Sequence, residues 1–310
     1  MRSIESESYP STDFLETRRD SERRRKELIF VGVYLGGGKL RSGEYKANVF
    51  FSGNPTASRI INAFIETPEI QRIVALVPDE EFISSFLSKT DKQISFLKAG
   101  VTFAESAKEA FLAVFPEENV IVVLSDVPFI KSSSLSRLAR SELDQEAIIP
   151  AVFKRDVEPI SELHNLHFNP SKEGYFHLGS SILLKKEARD KIDLERMNIY
   201  YKGKSFRTDP RAKLEAVYRL AGIEGILVAV RIWLSANLQH KGLQNLDKII
   251  PSPQIEAYQR IISRIFGIPT GLMFGYFGDL FLDFDYPDDA ELLEKNMREI
   301  EEFMNEHVKS

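Results

Sequence analysis

The chain has 310 residues, no cysteine and a formal net charge of −5, which excludes disulfides, zinc–thiolate sites and a cysteine nucleophile and weighs against broad nucleic-acid binding. At 43% hydrophobic and 28% charged residues, it has the make-up of an ordinary soluble globular protein with material for a sizeable core. No apolar leader segment opens the sequence, and its greasiest stretch, Ile226 to Leu238, is interrupted by Arg231 and falls short of the roughly 20 residues a membrane span needs.

The absence of cysteine suits the cytoplasm, so a cytoplasmic protein without a membrane span and without a nucleic-acid partner is the expectation. The length allows one large α/β domain with an insertion as readily as two domains. Residues 1–27 are polar and carry basic runs at Arg18-Arg19 and Arg23-Arg24-Arg25-Lys26 beside Asp20, Glu22 and Glu27. They read as a solvated extension, with a nucleic-acid or lipid-headgroup arm as the rival. The domain proper then spans 28–310.

Ile29 to Leu35 is a continuous apolar run, as in a strand buried on both faces of a parallel sheet. Asn54-Pro55 starts a helix whose inner face is Ala57, Ile60, Ile61 and Phe64. Arg72 to Val77 is the next strand, and Asp79 caps a helix with Phe82, Ile83, Phe86 and Leu87 inward. Ile94 to Lys98 is a short strand, followed by a helix with Ala107, Ala110, Phe111 and Val114 on one face. Val120 to Leu124 reads as the central strand. Strand and helix alternating at this spacing imply right-handed crossovers and a parallel sheet.

The second half is less regular. Ala147 to Phe153 and Tyr175 to Leu184 read as strands. Residues 185–275 form a helical insertion on the acceptor side, in which Ala212 to Leu238 is broken into two pieces at Gly222 and Gly225. Ile226 to Leu238 reads as a helix packed on the domain, with an interfacial membrane helix as its rival. An apolar helical insertion also makes a dimer face, so a homodimer is among the expectations. Leu280 to Phe284 is a last strand, before a terminal helix carrying Leu293, Met297, Ile300 and Met304 on one side.

Three segments carry chemistry. The first is Leu35-Gly36-Gly37-Gly38-Lys39-Leu40-Arg41-Ser42-Gly43-Glu44-Tyr45-Lys46, directly after the first strand. A glycine-rich break at a strand end can aim backbone N–H groups at a phosphate, and Arg41 and Lys46 add two cations. A tight turn with ordinary surface cations is the plainer reading. The spacing matches neither the Walker nor the dinucleotide fingerprint.

The second is Ser125-Asp126-Val127-Pro128 at the end of the central strand, where open α/β sheets collect ligands. A lone Asp there suits Mg²⁺, which takes one or two carboxylates and completes its shell with phosphate and water; capping of the next turn is the alternative. The third is Asp283-Phe284-Asp285-Tyr286-Pro287-Asp288-Asp289. Asp288 and Asp289 suit a first helical turn. His164, His167 and His177 match no metal-ligand spacing.

Taken in order, G-G-x-x-x-R-x-G-x-x-K, S-D-x-P and D-x-D-x-P-x-D resemble the motifs of nucleotidyltransferases with the GT-A-like, nucleotide-diphosphosugar-transferase fold, and among them the molybdenum-cofactor guanylyltransferase (MobA-like) group. The resemblance covers roughly residues 28 to 297. It implies a Rossmann-like α/β fold with a mostly parallel central sheet flanked by helices and a helical insertion in the second half. It also implies transfer of an NMP from an NTP to a phosphorylated or hydroxyl small-molecule acceptor, with release of pyrophosphate.

By the same resemblance, Arg41 and Lys46 would serve catalysis, and Mg²⁺ would be held by Asp126 and Asp285, with Asp283 as the alternative. Gly36, Gly37, Gly38, Gly100, Thr102 and Ser106 would line the nucleotide, and Ser180, Ser181 and Arg207 the acceptor. Ser125 stands where the family has Gly, and Ser180-Ser181 where it has G-N of a G-G-N. A glycosyltransferase of the same fold and a nucleotide-binding protein without activity are the rivals.

Overall fold

The computed structural model describes residues 29–40, 42–100, 102–161, 168–197, 199, 210–241 and 243–307. The first half follows the alternation read from sequence. Strand β1 (Phe30–Leu35) leads through the two-residue strands β2 (Phe50–Phe51) and β3 (Asn54–Pro55) to helix α1 (Thr56–Glu66). Then come β4 (Ile70–Val77), α2 (Glu80–Ser84), β5 (Gln93–Lys98), α3 (Phe103–Leu112), β6 (Asn119–Leu124), α4 (Ser132–Ala139) and β7 (Ala147–Phe153).

The second half brings α5 (Glu158–Ser161), β8 (Asn169–Ser171), β9 (Gly174–Leu178), β10 (Ser181–Leu184) and α6 (Lys186–Arg189). It closes with α7 (Pro210–His240), α8 (Gln244–Ile249), α9 (Ile255–Phe266), β11 (Thr270–Phe274), α10 (Pro287–Lys295) and α11 (Met297–His307).

Among the described residues one nine-stranded sheet runs β5-β4-β1-β6-β10-β7-β9-β8, with β11 paired to β7. β5, β4, β1 and β6 are mutually parallel, as is β11 with β7, while β10 is antiparallel to both β6 and β7. Alternate side chains of the inner strands go to opposite faces, as strand geometry requires. Val31, Val33 and Leu35 join a core under α3 and α9, whereas Phe30 and Tyr34 join one under α1 and α4. The α1 face Ala57, Ile60, Ile61 and Phe64 is fully buried. A third cluster joins Phe51, Phe129, Phe281 and Phe284 to Leu293, Met297, Ile300 and Met304.

Several expectations are corrected. Helix α1 starts at Thr56, because Asn54-Pro55 instead pairs with Phe50–Phe51 and Pro55 is the N-cap. Asp79 does cap α2 through Phe82 N–H at 3.0 Å, but only Ile83 of the expected inner face is buried. Phe82 and Phe86 remain half-buried against the Phe50 ring.

Tyr175 to Leu184 is two strands. Pro150 in the middle of β7 has no N–H to offer a continuous ladder. Ala147–Ile148 therefore pair with β10 and Ala151–Phe153 with β9, while Gly179 N–H donates to Pro150 O at 2.8 Å. A Cβ on Gly179 would lie 2.9 Å from the Pro150 ring. Gly225 is helical, and only Gly222 (φ 67°, ψ −159°) kinks α7.

Leu280 to Phe284 is no strand: Gly278–Leu280 is a 3-10 turn, and the last strand is β11 at 270–274. Its run of buried apolar residues mimics a core strand, because a segment buried across strand ends shows the same pattern. The terminal helix is two, α10 and α11, hinged at Asn296. No helix among the described residues is long and apolar enough to cross a membrane.

Asp279 ties this crossing segment to the sheet layer. Its carboxylate accepts from Ser134 Oγ at 2.5 Å and from Lys131 N–H at 2.7 Å, at the start of α4. Burial outweighs those bonds and pushes its carboxyl up to about 6. The folded state thus holds this proton more tightly than the unfolded chain, where an Asp titrates at about 3.9. The stability linked to Asp279 is present below the unfolded value and is lost as pH rises through about 6. Urea unfolding of the native chain against Asp279→Asn should show the native protein losing about 2–3 kcal/mol of relative stability across that window; a flat difference would refute the assignment.

Candidate functional site

β1 ends at Leu35, between the ends of β4 and β6, and the chain breaks into the three glycines. Gly36 N–H donates to Leu76 O at 2.8 Å, and a Cβ on Gly36 would lie 2.3 Å from that oxygen. A Cβ on Gly37 would approach Ala99 at 3.2 Å and Ser106 Oγ at 3.5 Å, and one on Gly38 would meet Ser125 Oγ at 2.6 Å. None of the three has positive φ. Close approach to the neighbouring strand ends, rather than an unusual backbone conformation, is what calls for glycine at these positions.

The loop then folds into a small hairpin. Lys39 bridges Tyr45, Leu40 N–H donates to Glu44 O at 2.8 Å, and Gly43 takes φ 92°. Lys46 N–H closes it on Gly38 O at 2.9 Å. Arg41 lies outside the described residues.

From the base of this hairpin the Lys46 side chain turns inward, above the Phe284 ring at 5.7 Å. Its Nζ donates to Asp285 Oδ1 at 2.8 Å and to Asp126 Oδ2 at 3.2 Å. Burial alone would lower the ammonium pKa, but the attraction of Asp126 and Asp285 and the hydrogen bonds to them outweigh it and hold it above its ordinary value. Lys46 therefore stays charged. Three segments distant in sequence meet here: Lys46 is 80 positions from Asp126 and 239 from Asp285.

Each carboxylate is held by its own surroundings. Asp126 follows β6 closely, and its carbonyl accepts from Phe284 N–H at 3.2 Å, which brings the two acidic segments side by side. Asp289 Oδ2 accepts from the N–H groups of Asp285 and Tyr286 at 3.1 and 3.0 Å. It thereby shapes the entry to α10, as a first-turn acid should. The Asp126 side chain is 15% exposed and Asp285 60%, giving one inner and one outer carboxylate.

Among the described residues no group of three or more metal-ligating side chains is gathered. Asp126 Oδ1 is nonetheless buried with no hydrogen-bond partner among them. A buried carboxylate oxygen without a donor is costly unless a cation meets it. That donor set, two carboxylates and no nitrogen or sulfur, fits Mg²⁺.

On the other side of the glycines, Gly100 N–H donates to Ser106 Oγ at 3.0 Å, so Gly37, Gly100 and Ser106 share one corner. Thr102 is the N-cap of α3, in a reciprocal capping box with Glu105. Ser180 reaches the site through its backbone, accepting from Leu124 N–H at 3.1 Å and donating to Leu280 O at 2.8 Å. The Ser181 hydroxyl is buried without a hydrogen-bond partner among the described residues. Arg207 lies outside the described residues, as do His164 and His167, while the His177 ring packs against Phe168 and Phe281.

Sequence reasoning passes over Tyr34. Its hydroxyl is fully buried and unpartnered among the described residues, and its ring edge would meet a Cβ on Gly36 at 2.6 Å. Burial, followed by the charge of Asp126, pushes its pKa well up. A hydroxyl-bearing residue inside a strand that otherwise carries only apolar side chains is the available signal. Phe284, the ring beneath Lys46, reads in the sequence only as a strand residue.

Removing one member of the trio leaves the others facing uncompensated charge. Lys46→Met should lower stability by about 3 kcal/mol, discounted for the exposed Asp285. A double-mutant cycle with Asp126→Leu should return a coupling of about 1 kcal/mol or more in chemical denaturation; strict additivity would mean the contact contributes nothing.

The sequence matches no protein-family model and no curated protein. Among solved structures, a protein described as a hypothetical transferase from Thermus thermophilus superposes with a TM-score of 0.59 at 19% identity, covering 85% of this chain and 99% of that one. A 4-diphosphocytidyl-2C-methyl-D-erythritol synthase from Anaerococcus prevotii follows at TM-score 0.49 and 12% identity, covering 88% and 96%. A CMP-2-keto-3-deoxy-manno-octonic acid synthetase complexed with CTP gives 0.44 and 10%, covering 88% and 98%. The first of these shares its fold with this chain over nearly its whole length: a mixed α/β fold with a mostly parallel central sheet flanked by helices.

Proposed function

We propose that this chain is a nucleotidyltransferase that moves an NMP from an NTP to a small acceptor bearing a phosphate or hydroxyl. The observation that carries the reading is the meeting of Lys46 with Asp126 and Asp285 beside the three glycines. They meet at the strand ends, where such sheets bind ligands. The order of the three motifs along the chain agrees with it, and the Thermus thermophilus protein of the same fold is described as a transferase. The likeness to the molybdenum-cofactor guanylyltransferase group rests on the motifs alone, and they do not name the base.

In this reading the glycine loop lies along the triphosphate, with its backbone amides as donors. Lys46, kept charged by its two carboxylates, moves its ammonium onto the β- and γ-phosphates, and Arg41 supplies a second cation. Asp126 and Asp285 would hold Mg²⁺, which when bound supplies charge neutralisation at the phosphate oxygens. The corner of Gly37, Gly100 and Ser106 places the nucleoside, with Thr102 fixing the start of α3 behind it. The acceptor enters from the side of Ser180 and residues 185–275, opposite the nucleoside, and attacks the α-phosphorus in line as pyrophosphate leaves. No side chain needs to act as a nucleophile, so catalysis is positional and electrostatic.

Thermal shift with each of the four NTPs, with and without Mg²⁺, tests this directly, because ligand binding stabilises the native state by RT ln(1 + [L]/Kd). One NTP should raise the Tm of the native chain in a Mg²⁺-dependent way. Asp126→Asn and Lys46→Ala, each measured against its own ligand-free Tm, should lose most of that shift. No shift with any NTP, or an undiminished one in both variants, would reject the assignment.

A further inference from the structure

The turn that carries Asp126 is braced from behind by a side chain that none of the three motifs contains. Arg59 lies on α1 beside the inward-facing Ile60, and its side chain is 20% exposed. Its guanidinium spreads three hydrogen bonds over three segments. Nε donates to Pro128 O at 2.7 Å, Nη1 to Phe51 O at 3.3 Å, and Nη2 to Glu301 Oε1 at 3.0 Å. The group also lies over the Phe129 ring, 5.9 Å from its centroid. A planar fork with donors in fixed directions suits such a junction, and the point charge of an ammonium does not reproduce it.

These bonds reach toward both acidic segments. Pro128 is two residues after Asp126, in the turn between β6 and α4, where no strand ladder serves its carbonyl. The Phe51 ring packs on Phe129 at 6.1 Å and on Phe284, the residue before Asp285, at 5.3 Å. Glu301 belongs to α11, which follows α10 and so continues the chain that Asp285 leads into. All three bonds have an ionised donor, which makes them the stronger kind. Arg72 provides the contrast. It donates to Glu118 through Nε at 3.2 Å and Nη2 at 2.6 Å, and through Nη2 to Ala113 O at 2.9 Å. It stands near the start of β4, whereas Leu76, near the end of that strand, meets Gly36. Arg72 therefore does similar bridging at the other end of the sheet, away from the site.

We propose that Arg59 is a positioning residue of the candidate site: its guanidinium fixes the Asp126 turn against the Asp285 segment and so sets how the two carboxylates meet Lys46. Neither carboxylate sits on a strand, yet both converge on one ammonium, at 2.8 and 3.2 Å. That convergence needs a restraint from outside the sheet, and Arg59 supplies one through Pro128 and Phe51. Its consequence for ligands rests on the nucleotide reading proposed above, while its consequence for the Lys46 contact needs no nucleotide. Support one step behind a metal-holding side chain is worth about 10–100-fold in metal affinity or activity.

Arg59→Met and Arg59→Lys in the full chain test this, with Arg72→Met as the control. Arg72→Met strands the Glu118 carboxylate, 5% exposed, and should destabilise the fold at least as much as Arg59→Met, whose partner Glu301 is 40% exposed. ATP, GTP, CTP and UTP, each with Mg²⁺, are titrated by calorimetry well below the Tm of every variant. For the NTP that binds the native chain, Arg59→Met should raise Kd at least ~10-fold. Arg59→Lys should recover part of that loss, and Arg72→Met should leave Kd unchanged. In urea unfolding without nucleotide, the coupling between Lys46→Met and Asp126→Leu should be smaller in an Arg59→Lys background than in the native one. Equal coupling in both backgrounds, or equal losses of affinity in Arg59→Met and Arg72→Met, would overturn the positioning role. A native chain that binds none of the four NTPs, while the coupling still falls, would reject the nucleotide reading and support the role of Arg59.

Discussion

One buried ammonium organises the candidate site. Lys46 lies between Asp126 and Asp285, and its charge is what allows two carboxylates from distant parts of the chain to share one corner. Like charges that close would otherwise push each other apart or take up a proton. The lysine in turn is fixed by its backbone bond to Gly38, so the glycine loop, the end of β6 and the entry to α10 form one mutually dependent unit. In the proposed reading a polyphosphate would compete for the ammonium and a divalent cation for the carboxylates, and until then each charge of the trio satisfies its neighbour.

The sheet supports this unit by an interruption. Pro150 divides β7 between two partner strands, and Gly179 crosses at the break. That frees Ser180 to bind Leu124 on one side and Leu280 on the other. The same turn carries Asp279, which reaches back to α4. The Asp285 segment is thus held from both flanks without joining the sheet, and its outer carboxylate stays in contact with water.

What is legible in the sequence follows from the range of the forces involved. The parallel half can be read because buried strands and amphipathic helices leave local periodic patterns, and Ala57, Ile60, Ile61 and Phe64, read as the α1 face, are all buried, beside Thr56, Ser58 and Ala63 that the pattern does not single out. Lys46, Asp126 and Asp285 are each recognisable by motif, but nothing local says that they touch. The reading fails where burial is not caused by secondary structure. Leu280 to Phe284 is apolar because it plugs the strand ends, and Tyr175 to Leu184 looks continuous because a proline on a different strand causes its break. β11, inside a stretch that reads as helical, is too short to stand out beside α7 and α9.

Helix α7 extends the same lesson to the surface. Its outer and inner sides are both rich in apolar residues, so no periodic signal distinguishes them, and the sequence says only that the segment is greasy. Orientation comes from Arg231 and Asp247, two charges that must be buried together or not at all. Breaking such a pair costs about 3–5 kcal/mol, more than the burial of one aliphatic side chain gains, about 1.5–3 kcal/mol. The ion pair and the buried Leu220, Ala221 and Val228 on the same side of α7 together hold that side against the protein.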